Sequence, residues 1–306
     1  MSDVYDVAII GGGMTGLSAS IYTCRAQLKT VVLERTLMGG QIINTDEIEN
    51  YPGFPKVTGV DLITAIEAQA SRFGVEYAFE EVLALDVKRS PMIVRTDGNE
   101  IRAHSIIVAS GGDHVKLGVP GEKELEARGV SYCATCDGNF FTNKEVAVVG
   151  GGDSALQEGL YLTQMCSKVT LIHRRDQLRA SKILQERASS NPKINFVWDT
   201  VVESINGNGS VNSLALRNLK SEKESDLAVS GVFIYIGFRP NTRAFEGVLD
   251  MDAGGHIKGD LNMATNVPGV FAAGDIRWKS TRQLANAAGD GVTAALAAYE
   301  FLQGHS

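Results

Sequence analysis

Two cysteines three positions apart, in Cys133-Ala134-Thr135-Cys136-Asp137, are the residues of this chain best equipped for chemistry. On one helical turn their thiols can close a disulfide, and such a setting usually lowers the pKa of one of them. Asp137 stands beside the pair, where a carboxyl group could exchange a proton with an attacking or departing sulfur, or simply cap a turn. Zinc is a rival reading. It needs about four ligands, and the sequence offers no second Cys or Cys/His pair at ligand spacing, so no metal is expected. Purely structural cysteines are the other alternative. The remaining two, Cys24 and Cys166, have no near partner and are expected to be structural thiols. Four cysteines in 306 residues do not make a disulfide scaffold, so the close pair reads as redox chemistry.

The elements that must position this pair announce themselves through glycine. Val7-Ala8-Ile9-Ile10 runs into Gly11-Gly12-Gly13-Met14-Thr15-Gly16, and 139 residues later Val146-Ala147-Val148-Val149 runs into Gly150-Gly151-Gly152-Asp153-Ser154-Ala155. Each string predicts a buried strand, a tight turn and a helix N-terminus, the form of a dinucleotide site. Gly11 permits the turn, Gly13 lets backbone approach a pyrophosphate, and Gly16 lets helix pack on strand. The first helical amides supply unpaired donors for phosphate. Eighteen residues after Gly16 stands Glu34, whose carboxylate can accept both ribose hydroxyls of an adenosine. The same step from Ala155 reaches His173, followed by Arg174 and Arg175, with Arg179 four residues further on. Guanidinium groups bind a 2′-phosphate where a carboxylate would repel it, so the second site is expected to prefer NADPH over NADH.

The fold class expected is α/β, with two Rossmann-like nucleotide-binding domains, the second inserted into the first. The first domain takes 1–114 and 244–306, and the insert takes 115–243, with hinges at 113–116 and 241–245. The tail, with Val270-Phe271-Ala272-Ala273-Gly274-Asp275 and a helix over 283–302, cannot bury both faces of a sheet alone and should return to the first domain. In the first domain, helices are expected over 15–26 and 59–73, and strands over 4–10 and 30–34, near 76–87 and 92–95, and at 106–109; the insert should carry strands at 168–173 and 231–237. A hydrophobic content of 44% suits well-buried sheets, and a net charge of −7 argues against a general nucleic-acid partner. No export signal or membrane span is expected, because the apolar run at Val7–Ile10 is far too short. Cytoplasmic placement follows as an expectation. Of the histidines only His173 has a positional argument; His104, His114, His256 and His305 are expected to do no chemistry.

Taken together, these strings resemble the low-molecular-weight thioredoxin reductases over nearly the whole chain. Also carrying the resemblance are Gly39-Gly40-Gln41, Glu49-Asn50-Tyr51-Pro52-Gly53, Cys133 to Gly138, His173-Arg174-Arg175, Gly274-Asp275, Arg282-Gln283 and Ala287-Ala288-Gly289. The resemblance implies FAD in the outer domain, held by the first glycine string, Glu34, Gly39, Gly40 and Gln41. Asn50, Val82, Asp275, Arg282, Gln283, Leu284 and Ala285 would complete that site, with Asp275 on the ribityl chain. NADPH would be held by Gly150, Gly152, Asp153, Ser154, His173, Arg174, Arg175, Arg179 and Ile236. Cys136 would face the flavin, Cys133 would attack the substrate disulfide, and Asp137 would be the acid/base.

The implied reaction carries electrons from NADPH through FAD and the cysteine pair to oxidised thioredoxin, in a homodimer. The cysteines and the nicotinamide site both belong to the insert, and if they share one face of the flavin they must take turns at it by rotation about the hinges. Departures are modest: Met14-Thr15 stands where Pro-Ala is frequent, Asp153-Ser154 where Asn-Thr is also common, and Arg239 where Ser or Glu is common. No second redox pair follows near Gln303-Gly304-His305-Ser306, so the larger reductases with a C-terminal redox arm are not expected. Another disulfide or dithiol partner, a dithiol oxidase, and a redox sensor without turnover remain alternatives.

Overall fold

The computed structural model describes residues 4–45 and 48–304; His305 lies outside them. The chain divides into two compact units, 1–113 with 239–306, and 114–238.

The first unit opens on β1 (Val4–Ile10), α1 (Met14–Arg25), β2 (Thr30–Leu33), α2 (Gly59–Ser71) and β3 (Glu76–Ala78). A hairpin of β4 (Val82–Asp86) and β5 (Met92–Thr96) then leads into β6 (Glu100–Val108). The sheet runs in the order β3-β2-β1-β6-β5-β4. The strand expected at 106–109 is thus longer, and that expected near 76–87 is two strands on opposite sides of the sheet. The start of β6, Glu100 to Ala103, mixes charged and apolar residues and pairs antiparallel with β5, while Ile106 to Val108 forms its apolar run and pairs in parallel with β1. The central strand β1 is buried on both faces. Val7 and Ile9 pack with Leu17 of α1 and Leu62 of α2, while Ala8 and Ile10 pack with Leu85, Val94 and Phe245.

The second unit begins with β7 (Gly112–His114), which starts in the first, and continues through β8 (Val130–Ser131), α3 (Ala134–Asp137), β9 (Glu145–Val149), α4 (Asp153–Leu162), β10 (Lys168–Ile172), α5 (Lys182–Ser190) and β11 (Ile194–Val197). Three antiparallel strands follow, β12 (Thr200–Gly207), β13 (Val211–Asn218) and β14 (Glu224–Ala228), and then β15 (Gly231–Ile234). The parallel sheet has the order β11-β10-β9-β15-β8. Here too the fingerprint strand alternates: Val146 and Val148 face Leu156 and Leu162 of α4, and Ala147 and Val149 face Val202, Ile205, Leu214 and Leu216 of the antiparallel strands. That covering sheet has no counterpart in the sequence-based expectation.

The chain returns through β16 (Phe238–Pro240), which pairs with β7. β17 (Val270–Ala272) then adds in parallel to the second half of β6, and α6 (Leu284–Gln303) packs along α1. Gly291 makes this crossing possible, since a Cβ there would collide with the Thr15 carbonyl oxygen. The tail therefore completes the first unit.

The two fingerprints differ at one packing position, and the difference is testable. A Cβ at Gly16 would collide with the Gly11 carbonyl, whereas Ala155 keeps its methyl, fully buried, at the equivalent place in the second unit. Gly16→Ala is expected to cost about 1–3 kcal/mol through overpacking, and Ala155→Gly about 0.5–1 kcal/mol through backbone entropy. Denaturant midpoints measure both; a Gly16→Ala protein as stable as the wild type would contradict the packing role.

Candidate active site

In the first unit, the turn between β1 and α1 opens onto a cleft of about 600 Å³. Gly11 turns the chain at φ +109°, and a Cβ there would strike Ala109. Gly13 borders the cleft in open space, its nearest potential Cβ contact a carbonyl oxygen 3.9 Å away, so any side chain would grow into the volume a ligand needs. As N-cap of α1 it offers no side-chain acceptor, which leaves first-turn amides to face the cleft. Glu34, at the end of β2, accepts a hydrogen bond from the Gly12 amide at 2.9 Å and lines the same cleft. Gly12 itself is packed against Met38 and Glu34. The Gly39 amide donates to the Gly12 carbonyl at 2.8 Å, which brings Gly40 and Gln41 to the cleft wall. Met14, Thr15, Val82 and Leu284 complete that lining among the expected residues.

Asp275 enters the cleft from the turn after β17. Burial raises its carboxyl's proton affinity, and the Arg282 charge opposes this. The turn is anchored from α6: Asp290 is buried, accepts from the Gly274 amide at 3.1 Å, and receives Arg277 Nε and Nη2 at 2.5 and 3.1 Å. Neither Asp290 nor Arg277 stood out in the sequence, although an acid within the small-residue run of 287–291 is a signal of a buried partner. Asn50 and Gln283, 233 residues apart, meet through Asn50 Nδ2 and Gln283 Oε1 at 3.4 Å. These two, with Gly12, Gly16, Arg282 and Ala285, stand outside the cleft lining.

In the second unit, Cys133 and Cys136 are joined in a disulfide. Cys133 is the N-cap of α3, and its sulfur accepts from the Cys136 amide at 3.2 Å. Ser131 organises the turn: its hydroxyl accepts from the Cys133 amide at 3.1 Å and donates to Asp137 Oδ2 at 2.5 Å. Burial raises the Asp137 carboxyl's proton affinity, with the Ser131 bond pulling the other way. Asp137 thus stands one turn from Cys133 with its carboxyl's proton affinity raised above its ordinary value. Nothing in the sequence singled out Ser131.

The second glycine turn is bound to the basic segment after β10. The amides of Arg179 and Ala180 donate to the Gly151 carbonyl at 2.7 and 3.2 Å, and the Ser181 amide donates to Asp153 Oδ1 at 2.6 Å. Arg174, Arg175 and Arg179 are exposed, as is Ser154 in the first turn of α4. Gly152 has no neighbour within reach of a potential Cβ, so its surroundings are open. His173 is different. Its ring is buried behind Gly151, with Nε2 3.1 Å from the Gln177 carbonyl, and burial lowers its proton affinity. It is placed to shape the turn, which leaves the charge to the arginines. Ile236 is half-buried against the core that β9 shares with the antiparallel strands.

Residues 5–291 match the family of pyridine nucleotide-disulphide oxidoreductases. The thioredoxin reductase of Bacillus subtilis is 46% identical over 98% of this chain and 95% of its own length. That of Listeria innocua is 48% identical over 98% and 94%. The crystal structure of thioredoxin reductase from Streptococcus pyogenes superposes with a TM-score of 0.96 at 42% identity, covering 99% of this chain and all of the other. This chain belongs to the thioredoxin reductase family.

Membership in the thioredoxin reductases implies FAD and NADPH as cofactors. The residues present fit both. The open backbone at Gly13 and the Glu34 carboxylate suit an adenosine dinucleotide, and the bare Gly152 turn beside three exposed guanidinium groups suits one that carries an extra phosphate. Among the described residues no helix is long and apolar enough to cross a membrane, and no group of three or more metal-ligating side chains converges.

Proposed function

We propose that the protein is an NADPH-dependent reductase of thioredoxin, with Cys133 and Cys136 as its redox centre. The observation that carries this is the disulfide itself, closed across the N-cap of α3 in a unit that also bears the arginine-flanked glycine turn. FAD, when bound, would supply a carrier that takes a hydride from NADPH and gives an electron pair to a disulfide. Gly11, Gly13, the first-turn amides of α1 and Glu34 would hold its adenosine half, and Asp275, anchored by Asp290, its ribityl chain. Ser154, Arg174, Arg175 and Arg179 would hold NADPH, with His173 and Asp153 fixing their loop.

The substrate step is thiol–disulfide exchange. Cys133, as thiolate, attacks one sulfur of oxidised thioredoxin, and the partner's other sulfur leaves with a proton. Cys136 then displaces the partner, both its thiols now reduced, and closes the Cys133–Cys136 bond again. The Cys136 amide steadies charge on the Cys133 sulfur, and Asp137, raised in proton affinity and held by Ser131, supplies the proton to the departing sulfur. We further read the working form as a cytoplasmic homodimer, on family resemblance and cysteine usage.

The test is anaerobic. The yellow protein should bleach with NADPH and far less with NADH, and oxidised thioredoxin should restore the colour and sustain NADPH oxidation. A colourless protein that takes up no FAD, or one whose NADPH oxidation ignores thioredoxin, would defeat the proposal.

A further inference from the structure

The redox turn presents two consecutive amides, and each is taken by a side-chain hydroxyl. Ser131, the last residue of β8, accepts from the Cys133 amide at 3.1 Å. The Ala134 amide donates to the Tyr235 hydroxyl at 2.6 Å, across 101 positions of sequence. Strand register makes that meeting possible. β8 and β15 pair in parallel with Phe233 opposite Ser131, so Tyr235, two residues past Phe233, runs alongside Cys133. The Tyr235 backbone is fixed in turn. Its amide donates to the Val149 carbonyl at 2.8 Å, and Gly150 lies so close that a Cβ there would strike the Tyr235 carbonyl. The ring packs against the core that β9 shares with α4. Burial, supported by the charges of Glu158 and Asp137, keeps the proton on the Tyr235 oxygen, so a neutral hydroxyl meets the amide.

We propose that Tyr235 is a positioning residue for the redox pair: its hydroxyl holds the Cys133–Ala134 peptide in the orientation that keeps the Cys133 sulfur within reach of Cys136, and so favours the closed disulfide. A peptide group is planar, and this one is held at both ends. The Asp137 amide donates to the Cys133 carbonyl at 3.1 Å, and Tyr235 takes the Ala134 amide. Held so, the plane fixes ψ of Cys133 at 103°, the backbone from which the sulfur hangs. Once the S–S bond opens, these hydrogen bonds are what keep the two thiols facing one another. Ala134 opens α3, where the helix itself supplies no acceptor, and it is fully buried, so water is a poor substitute for the hydroxyl. The role rests on the reading of Cys133 and Cys136 as the redox centre, and the experiment tells the two apart.

The intact protein is equilibrated under argon in glutathione buffers of stepped ratio, and its open and closed forms are counted by thiol alkylation and mass. Two glutathione thiols become one glutathione disulfide as the Cys133–Cys136 disulfide opens to two thiols, so the ratio at half-opening reads the equilibrium without any turnover. Tyr235→Phe keeps the ring and removes only the acceptor. It is expected to shift that equilibrium about five-fold toward the dithiol, the worth of one hydrogen bond. Tyr235→Leu, which lacks the hydroxyl as well, should shift it at least as far, and it takes the place of the Phe protein should that fail to fold. Thermal midpoints and flavin content accompany each measurement, and a general loss of stability would not by itself move the thiol–disulfide balance. An equilibrium in Tyr235→Phe that stays where the wild type has it, or moves toward the disulfide, overturns the positioning role. So does a shift in the Leu protein alone, which would assign the effect to ring packing. A wild-type pair that stays closed even in excess dithiothreitol would instead overturn the redox-centre reading, and this role with it.

Discussion

Cys133→Ser is expected to abolish thioredoxin-linked turnover, with a loss of about 10⁴-fold or more, as for removal of a covalent nucleophile. FAD uptake and bleaching by NADPH should persist, because the cleft proposed for FAD is built wholly from the first unit and the arginine turn is held by its own backbone bonds to Gly151. A serine hydroxyl can still accept the Cys136 amide and cap α3, so the fold of the turn should survive. What serine cannot do is form a mixed disulfide. Cys136→Ser gives the complementary result: Cys133 still attacks, nothing displaces the product, and thioredoxin is trapped covalently on the protein. Gel shift under non-reducing conditions reads this directly. Trapping by the Cys133→Ser protein and none by Cys136→Ser would reverse the two roles; turnover above about one per cent in either would remove the disulfide from the pathway.

The cysteine pair was legible because its two members stand three positions apart in sequence, and the structure joins them in a disulfide. The two fingerprints stand out for the same reason, since β1 with α1 and β9 with α4 are each one unbroken string whose strand is buried on both faces. Long-range support was not legible. Ala134 and Tyr235 have no spacing that predicts their meeting, and Ser131 reads as an ordinary strand-end serine until Asp137 is seen to accept from it. The strands β12 to β14 escaped for another reason. They cover β9 with one face and meet water with the other, so Thr200–Gly207 and Glu224–Ala228 carry polar residues that weaken any apolar run. His173 shows the limit of register. Its place matches Glu34, both side chains reach the second glycine of their turn, yet Glu34 ends at a cleft and the His173 ring ends in the core.

That burial bears on where coenzyme choice is proposed to reside. With the His173 ring packed behind Gly151 and burial lowering its proton affinity, discrimination between NADPH and NADH is proposed to fall to the exposed guanidinium groups, and Arg174→Ala with Arg175→Ala should collapse it. Hydrogen bonds to charged groups are worth about 1.5–3 kcal/mol each, so losing two should raise KM for NADPH by about 10²-fold or more. KM for NADH, which lacks the 2′-phosphate, should move little, and kcat with saturating NADPH should hold, since these groups are proposed to bind a part of the coenzyme remote from the reacting carbon. The loss should also flatten the salt dependence of NADPH binding, because a screened charge pair is what has been removed. Arg179 sets the size of the residue. Its amide is tied to Gly151, which fixes its backbone beside the turn, and the triple variant should lose whatever preference the double variant keeps. Steady-state kinetics with both coenzymes at two ionic strengths decides the matter. An unchanged NADPH-to-NADH ratio in the double variant would move the phosphate site away from residues 174–179 and with it the proposed NADPH pocket.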